Sequence, residues 1–297
     1  MEKGCSPVPP DVTPDLMPDA RLESLVRRVK DLPALPEAVT RVMHLTNDPK
    51  AGASDIARAL ASDQALTARA LKLANSAFYG GSRRIGTVSE AVVTLGMRTT
   101  RNLVMATGCQ EMLERAVSGY ALPRGALWRH SLACATAAQA LAVRAGFRQA
   151  EEAFVAGLLH DIGKVVLNTY LKEQFVRVLL RASAGDVTFN EAEREILGFD
   201  HAEAGACLLE RWKLPASLVS AVRFHHAPGG AGDSSLLPRL VHVADAVSLT
   251  LGAGLGWDGL AYALDPDALH RLGLTDEDFE QVAGQTCDAL TQAGTGL

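Results

Sequence analysis

Apolar positions recur every three or four residues almost without interruption from Leu22 onward, and few β-branched alternations break that rhythm. A period near 3.6 fits an amphipathic helix and not a strand. Leu22/Leu25/Val26/Val29 and Ile56/Ala59/Leu60 show it early in the chain, so the spacing predicts an all-α protein. Helix boundaries are equally readable. Pro36-Glu37 opens a helix after an LPALP turn, and Ser54-Asp55 and Ser62-Asp63 offer side-chain oxygens to unpaired N–H groups. Gly80-Gly81 stops the second of these, Thr87 opens a short helix that Gly96 ends, and Thr99 begins another running towards Glu114. Later helices are expected at 126–145, 150–168, 171–184, 188–196, 201–212, 215–226, 236–251 and 275–292, the last capped by Thr275 with Asp278.

The expected organisation is two-lobed: a flexible tail over 1–20, which holds five prolines, then a helical lobe over 21–120. A second helical lobe follows over 121–257, with a C-terminal helical extension over 258–297 packing on it. Apolar residues make up 48% of the 297 and charged residues 21%, enough apolar material for a sizeable core. The net charge is −5 and the basic residues are scattered, so broad binding to nucleic acid or anionic lipid is not expected. The five cysteines (Cys5, Cys109, Cys134, Cys207, Cys287) are odd in number and form no CxxC pair, which argues against a disulfide framework or a zinc ribbon. With no secretory h-region and no membrane-length apolar run, a cytoplasmic protein is expected.

Against that background, GLLHDIGK (157–164) places His160, Asp161 and Lys164 inside the apolar segment Ala153 to Leu167. His130 lies in a helix with few other polar groups, His201 at a helix start, His225 and His226 at a helix end, and Asp245 in LVHVADAVSLTL. A carboxylate removed from water costs several kcal/mol unless it is paired or bound to a cation. Asp161 and Asp245 therefore require partners, and the five histidines are of metal-ligand type. Neighbouring helical residues point about 100° apart. His160 and Asp161 would therefore not chelate from one face: His160 would serve one ion while Asp161 bridges to a second, with Lys164 on the same side, and His225 and His226 would likewise reach separate centres from a helix end. His242 reads as an ordinary hydrogen-bonded core residue, and His44 and His270 carry no role.

His130, His160-Asp161 and Asp245 resemble the H…HD…D signature of the HD-domain superfamily. LPALPEAV (32–39), SDQALTARALKLANSAFYG (62–80), SEAVVTLG (89–96), EEAFVAGLLHDIGK (151–164) and EAEREILGFDHAEAGACLLERWKLP (191–215), with the pair at 225–226, resemble more narrowly an HDOD domain, the HD-related output domain of bacterial signalling proteins. HDOD is similar to the HD-GYP phosphodiesterases, which hydrolyse cyclic di-GMP at a di- or trinuclear metal centre. The resemblance implies that His130, His160, Asp161, His201, His225, His226 and Asp245 match metal ligands, Asp161 bridging, and that Lys164 matches a lysine contacting a substrate phosphate. Two departures stand out. Ala126 occupies a position where a trinuclear centre supplies a glutamate, and APGGAGDSS follows His226 in place of a DGxGYP loop. A third ion is therefore not expected, and cyclic di-GMP specificity is not implied.

Two functions follow as expectations. The preferred one is a stand-alone regulatory output module with a dinuclear divalent metal site (iron, manganese, nickel or zinc), acting through a protein partner or a nucleotide ligand. In the other the chain is a metal-dependent phosphohydrolase, with Asp161 and Lys164 as its catalytic residues. Asn75, Tyr79, Arg83 and Arg84 offer a contact surface in the first lobe, or Asn75 and Tyr79 tie the lobes together. The final helix has a further available role in homodimer formation.

Overall fold

The computed structural model describes residues 34–46, 48, 50–75, 84–170, 172–232, 236–254, 256–257, 264–265 and 267–292. The expected helix at 22–29, the stop at Gly80-Gly81, the proline-rich tail and the side chains of Tyr79 and Arg83 lie outside them. The architecture is all-α: among the described residues the one β feature is an isolated bridge between Val117 and Leu122.

Four helices come first: α1 (Glu37–Leu45), α2 (Ala53–Ala61), α3 (Gln64–Ala74) and α4 (Val88–Leu113). Local chemistry sets their ends. Asp63 accepts from Leu66 N at 2.9 Å and Thr87 from Glu90 N at 3.1 Å, each satisfying an N–H that the first helical turn leaves unpaired. Pro36 stands one position earlier than expected, at the N-cap of α1. In α2 the helix begins at Ala53, ahead of Ser54, because Asp55 reaches back to accept from Gly52 N at 2.9 Å. Gly96 breaks α4 internally with φ +84°, a left-handed-side conformation that glycine adopts without a Cβ clash. Asn75, at the end of α3, donates to Leu71 O at 2.7 Å and Ile85 O at 2.8 Å and accepts from Ile85 N at 2.7 Å. It therefore joins two segments of this region instead of two lobes.

A 3₁₀ turn at Ser118–Tyr120 leads into α5 (Ala126–Arg144), α6 (Ala150–Leu159), α7 (Ile162–Tyr170), α8 (Lys172–Ala182), α9 (Phe189–Leu197), α10 (His201–Arg211), α11 (Ala216–Arg223) and α12 (Leu236–Thr250). A short α13 (Ala268–Arg271) and a long α14 (Asp276–Gln292) complete the described chain. Helix α5 is central: α6, α12 and α14 pack on it, while α10 packs on α7 and α11. α14 begins with the reciprocal cap expected of Thr275 and Asp278, and Asp278 also pairs with Arg144 of α5 at 3.1 Å. One hydrophobic cluster runs from Leu35 to Leu290, so both sets of helices share a core. No helix among the described residues is long and apolar enough to cross a membrane.

The expected helix over 150–168 is two helices. α6 ends at Leu159 and α7 starts at Ile162, which leaves His160 and Asp161 in the junction between them. The backbone there is pressed against its neighbours through glycine. A Cβ on Gly157 would come within 2.8 Å of Cys134 O in α5, and one on Gly163 within 1.9 Å of His201 O and 2.6 Å of Gly205 N in α10. Gly157 and Gly163 thus seat the His160-Asp161 junction between the helices that carry His130 and His201.

Candidate metal centre

Those contacts bring all eight singled-out side chains into one pocket: His130 from α5, His160 and Asp161 from the α6–α7 junction, Lys164 from α7, His201 from the first turn of α10, His225 and His226 from just beyond α11, and Asp245 from α12. Seven of them are buried, and His226 alone is half-buried. Because the helix breaks at His160, the expected divergence of that residue from Asp161 does not occur: His160 Nε2 lies 3.4 Å from Asp161 Oδ2.

The Asp161 carboxylate divides the pocket into two halves. Its Oδ2 lies 3.3 Å from His130 Nε2, and Asp245 Oδ1 faces the same two imidazoles at 3.1 Å (His130) and 3.6 Å (His160). Its Oδ1 lies 3.4 Å from His201 Nε2 and 3.9 Å from His225 Nε2, and His226 Nε2 is 2.7 Å from His201 Nε2. Ligand-type atoms of His130, His160 and Asp245, and separately of His201, His225 and His226, fall within 4.8 Å of one another. Lys164 Nζ donates to Asp161 Oδ2 at 2.5 Å and lies 5.5 Å from the centre of the Tyr120 ring.

The outer nitrogens fix how the inner ones are presented. His130 Nδ1 faces Ala253 O at 3.0 Å, His160 Nδ1 faces Gly157 O at 2.7 Å and His225 Nδ1 faces Val222 O at 2.7 Å. A carbonyl oxygen can only accept, so each Nδ1 carries a proton and each Nε2 directs a lone pair into the pocket unless the ring is charged. His201 differs: its Nδ1 pairs with the carboxylate of Glu193 at 2.6 Å, and the same oxygen accepts from His201 N at 3.0 Å. The other Glu193 oxygen accepts from the buried Tyr120 hydroxyl.

Charge in the pocket is unbalanced around these lone pairs. Burial alone would raise the carboxyls of Asp161 and Asp245, but His160 and Lys164 beside the former, and His130 and His160 beside the latter, hold both well below the usual range. Burial pushes His130 down, yet Asp161 and Asp245 outweigh it and lift the ring to about 9. His160 is raised further by Asp161 against its own burial, and His201 is raised by Glu193. In the opposite direction, burial and neighbouring imidazoles push His225 and His226 well below their ordinary value. Without a cation, protons must therefore supply positive charge in one half. Asp245 Oδ1 then depends on a protonated His130 Nε2 at 3.1 Å, and His225 Nε2 is buried without a hydrogen bond. Converging imidazole lone pairs, buried carboxylates and the unpaired His225 Nε2 are a donor set that fits bound metal.

Sequence reasoning did not find Glu193 or Tyr120. A signal existed for Glu193, since it lies four residues from both Phe189 and Leu197 and so occupies the buried stripe of α9, where a carboxylate is out of place. It was hidden by the neighbouring solvent-facing Glu191 and Glu195. His242, set aside as a core residue, has its Nδ1 on His225 O at 2.7 Å and its Nε2 accepting from Asp265 N at 2.8 Å. His44 and His270 lie outside the pocket.

The structure resembles an HDOD domain protein of unknown function from Geobacter sulfurreducens, with a TM-score of 0.72 and 27% identity over 90% of this chain and 96% of that one. A protein from Shewanella amazonensis SB2B, described as a candidate phosphohydrolase, is similar at a TM-score of 0.70 and 29% identity, over 91% and 95% of the two chains. An uncharacterized protein of Treponema pallidum (strain Nichols) is 29% identical over 204 residues, 68% of this chain but 39% of that longer one. Residues 32–228 match the family profile described as HDOD domain, which is well over half of the sequence. The chain belongs to the HDOD domain family.

Proposed function

We propose that this protein is a signalling output module whose second set of helices is organised around an enclosed pair of divalent metal ions. The observation that carries this reading is the Asp161 carboxylate, whose two oxygens face different sets of imidazoles at 3.3–3.4 Å. A bridging carboxylate with N/O donors on each side suits iron, manganese, nickel or zinc, and thiolate donors are absent from the set. His130, His160 and Asp245 would hold one ion and His201, His225 and His226 the other, with Asp161 shared. Enclosure supports a regulatory role over turnover. Seven of the eight side chains are buried, whereas a phosphoester substrate must reach the metal pair and Lys164 directly. In this reading the ions cross-link α5, the α6–α7 junction, α10, the segment after α11 and α12, so occupancy sets the rigidity of the surface offered to a protein partner or a nucleotide.

Phosphohydrolysis is the second reading, and Lys164 favours it. Ions bound in the pocket would supply Lewis acidity. Lys164, now 2.5 Å from Asp161 Oδ2, would turn towards a phosphate oxygen and offset its charge. His226, the half-buried member, marks the side from which a substrate would approach.

Elemental analysis of purified protein tests the shared premise: two equivalents of metal per chain, both lost in Asp161→Ala, are expected. Absence of metal after reconstitution with each of the four ions would refute it. Cyclic dinucleotides and phosphomonoesters assayed on the loaded protein then separate the readings, since multiple turnovers abolished in Lys164→Met would select the hydrolase.

A further inference from the structure

Three of the imidazoles donate Nδ1–H to backbone carbonyls, and one is handled differently. His201 gives its Nδ1–H to a carboxylate, Glu193 Oε2, at 2.6 Å, and that oxygen also accepts from His201 N at 3.0 Å. The remaining Glu193 oxygen is held by Tyr120. All three side chains are at most 1% exposed, and the Tyr120 ring packs edge-on against His201 with centroids 6.0 Å apart, and against Phe175 at 4.9 Å. Burying a carboxylate on the apolar stripe of α9 costs several kcal/mol that a leucine would not. Filling space cannot be the reason for it.

We infer that Glu193, fixed by Tyr120, is a positioning residue that sets the donor strength and orientation of His201, and so controls the affinity of the His201–His225–His226 half of the centre without controlling the other half. This rests on the two-ion reading above. A carboxylate partner makes the opposite imidazole nitrogen a stronger donor than a carbonyl partner does, and locks the ring plane. Tyr120 adds a longer connection. It belongs to the 3₁₀ turn through which the chain passes from α4 to α5, and its own carbonyl accepts from Trp257 N at 3.1 Å. A residue in the connector between the two sets of helices is thereby two hydrogen bonds from a ligand-type nitrogen.

The test is a two-step binding isotherm for manganese(II) and for zinc(II), each alone, on the full chain as wild type, Glu193→Gln and Tyr120→Phe. Glu193→Gln keeps the size of the side chain and removes its charge. It is expected to weaken one of the two equivalents by about 10–100-fold and leave the second within about 2-fold. Tyr120→Phe should weaken the same equivalent by a smaller factor. A variant that fails to fold would lose both steps, and circular dichroism would identify it; Tyr120→Phe then carries the test. Equal weakening of both steps in a folded variant, or no change in either, overturns the inference while leaving the two-ion reading intact. A wild-type chain that binds neither ion overturns the two-ion reading and this inference together.

Discussion

The α1–α4 region and the α5–α12 region bury polar groups in opposite ways. In the first, Thr107 donates to Leu103 O at 2.6 Å, Thr100 to Gly96 O at 2.9 Å, and Asn102 to Glu151 O at 3.0 Å. Each is a neutral side chain with an acceptor of its own, though Asn102 Oδ1 is left without a hydrogen bond, and among the described residues no aspartate, glutamate, histidine, lysine or arginine of α1–α4 is buried. In the second region Asp161, Asp245, Lys164, Glu193 and four of the histidines in the pocket are buried in contact with one another, and His225 Nε2 still lacks a hydrogen bond. The difference separates polar residues that a fold needs from polar residues that demand something the fold does not provide. Neutral pairing accounts for most of the first set; in the two-ion reading proposed above, a cation completes the second.

The comparison can be broken or sharpened by substitution. The largest effect is expected from Lys164→Met, which removes the ammonium nearest the buried Asp161 carboxylate, leaves it to His130 and His160, and should cost the metal-free protein about 3–5 kcal/mol. Denaturant unfolding with and without added manganese measures it, and most of the loss should return when the ion is present. Next comes Gly163→Ala. Its Cβ would sit 1.9 Å from His201 O, so α7 and α10 must separate. A loss near the top of the overpacking range, about 3 kcal/mol, is expected together with a drop in bound metal.

Effects of pH should be confined to the second region and to the metal-free state. Folded His130 is raised to about 9, and His160 and His201 are raised too, so their stabilisation is complete below the ordinary imidazole value of about 6.5 and is lost as pH rises through the folded values. His225 and His226 are depressed, so their neutral burial favours folding above about 6.5 and opposes it as pH falls towards the folded values. Metal-free stability should therefore peak near pH 6.5, and loading the protein should flatten the alkaline side of a melting-temperature profile, because ions replace protons on the rings. The smallest effect belongs to the first region. Asn75→Ala removes three local hydrogen bonds and should cost about 1–2 kcal/mol, with metal content unchanged by elemental analysis.

Much of this was legible in the sequence because it is locally encoded. Caps at Asp63, Thr87 and Thr275 announce their helices through side-chain chemistry within three residues, and Gly96 announces its break through backbone freedom. The eight pocket residues were legible for another reason: charged groups on apolar helices cannot be left alone. What stayed hidden depends on contacts distant in sequence. The break at His160-Asp161 follows from pressing Gly157 and Gly163 against α5 and α10, and periodicity along one segment carries no trace of a partner more than twenty residues away. Glu193 was concealed by the glutamates around it, and Tyr120 by lying in a turn.

The central claim is that Asp161 sits between two cations. Anomalous diffraction from crystals grown or soaked with manganese or zinc tests it most directly. Two peaks are predicted, one beside Asp161 Oδ2 among His130, His160 and Asp245, and one beside Asp161 Oδ1 among His201, His225 and His226. A pocket without an anomalous peak at saturating ion, its imidazoles bonded to one another and to waters, would contradict it.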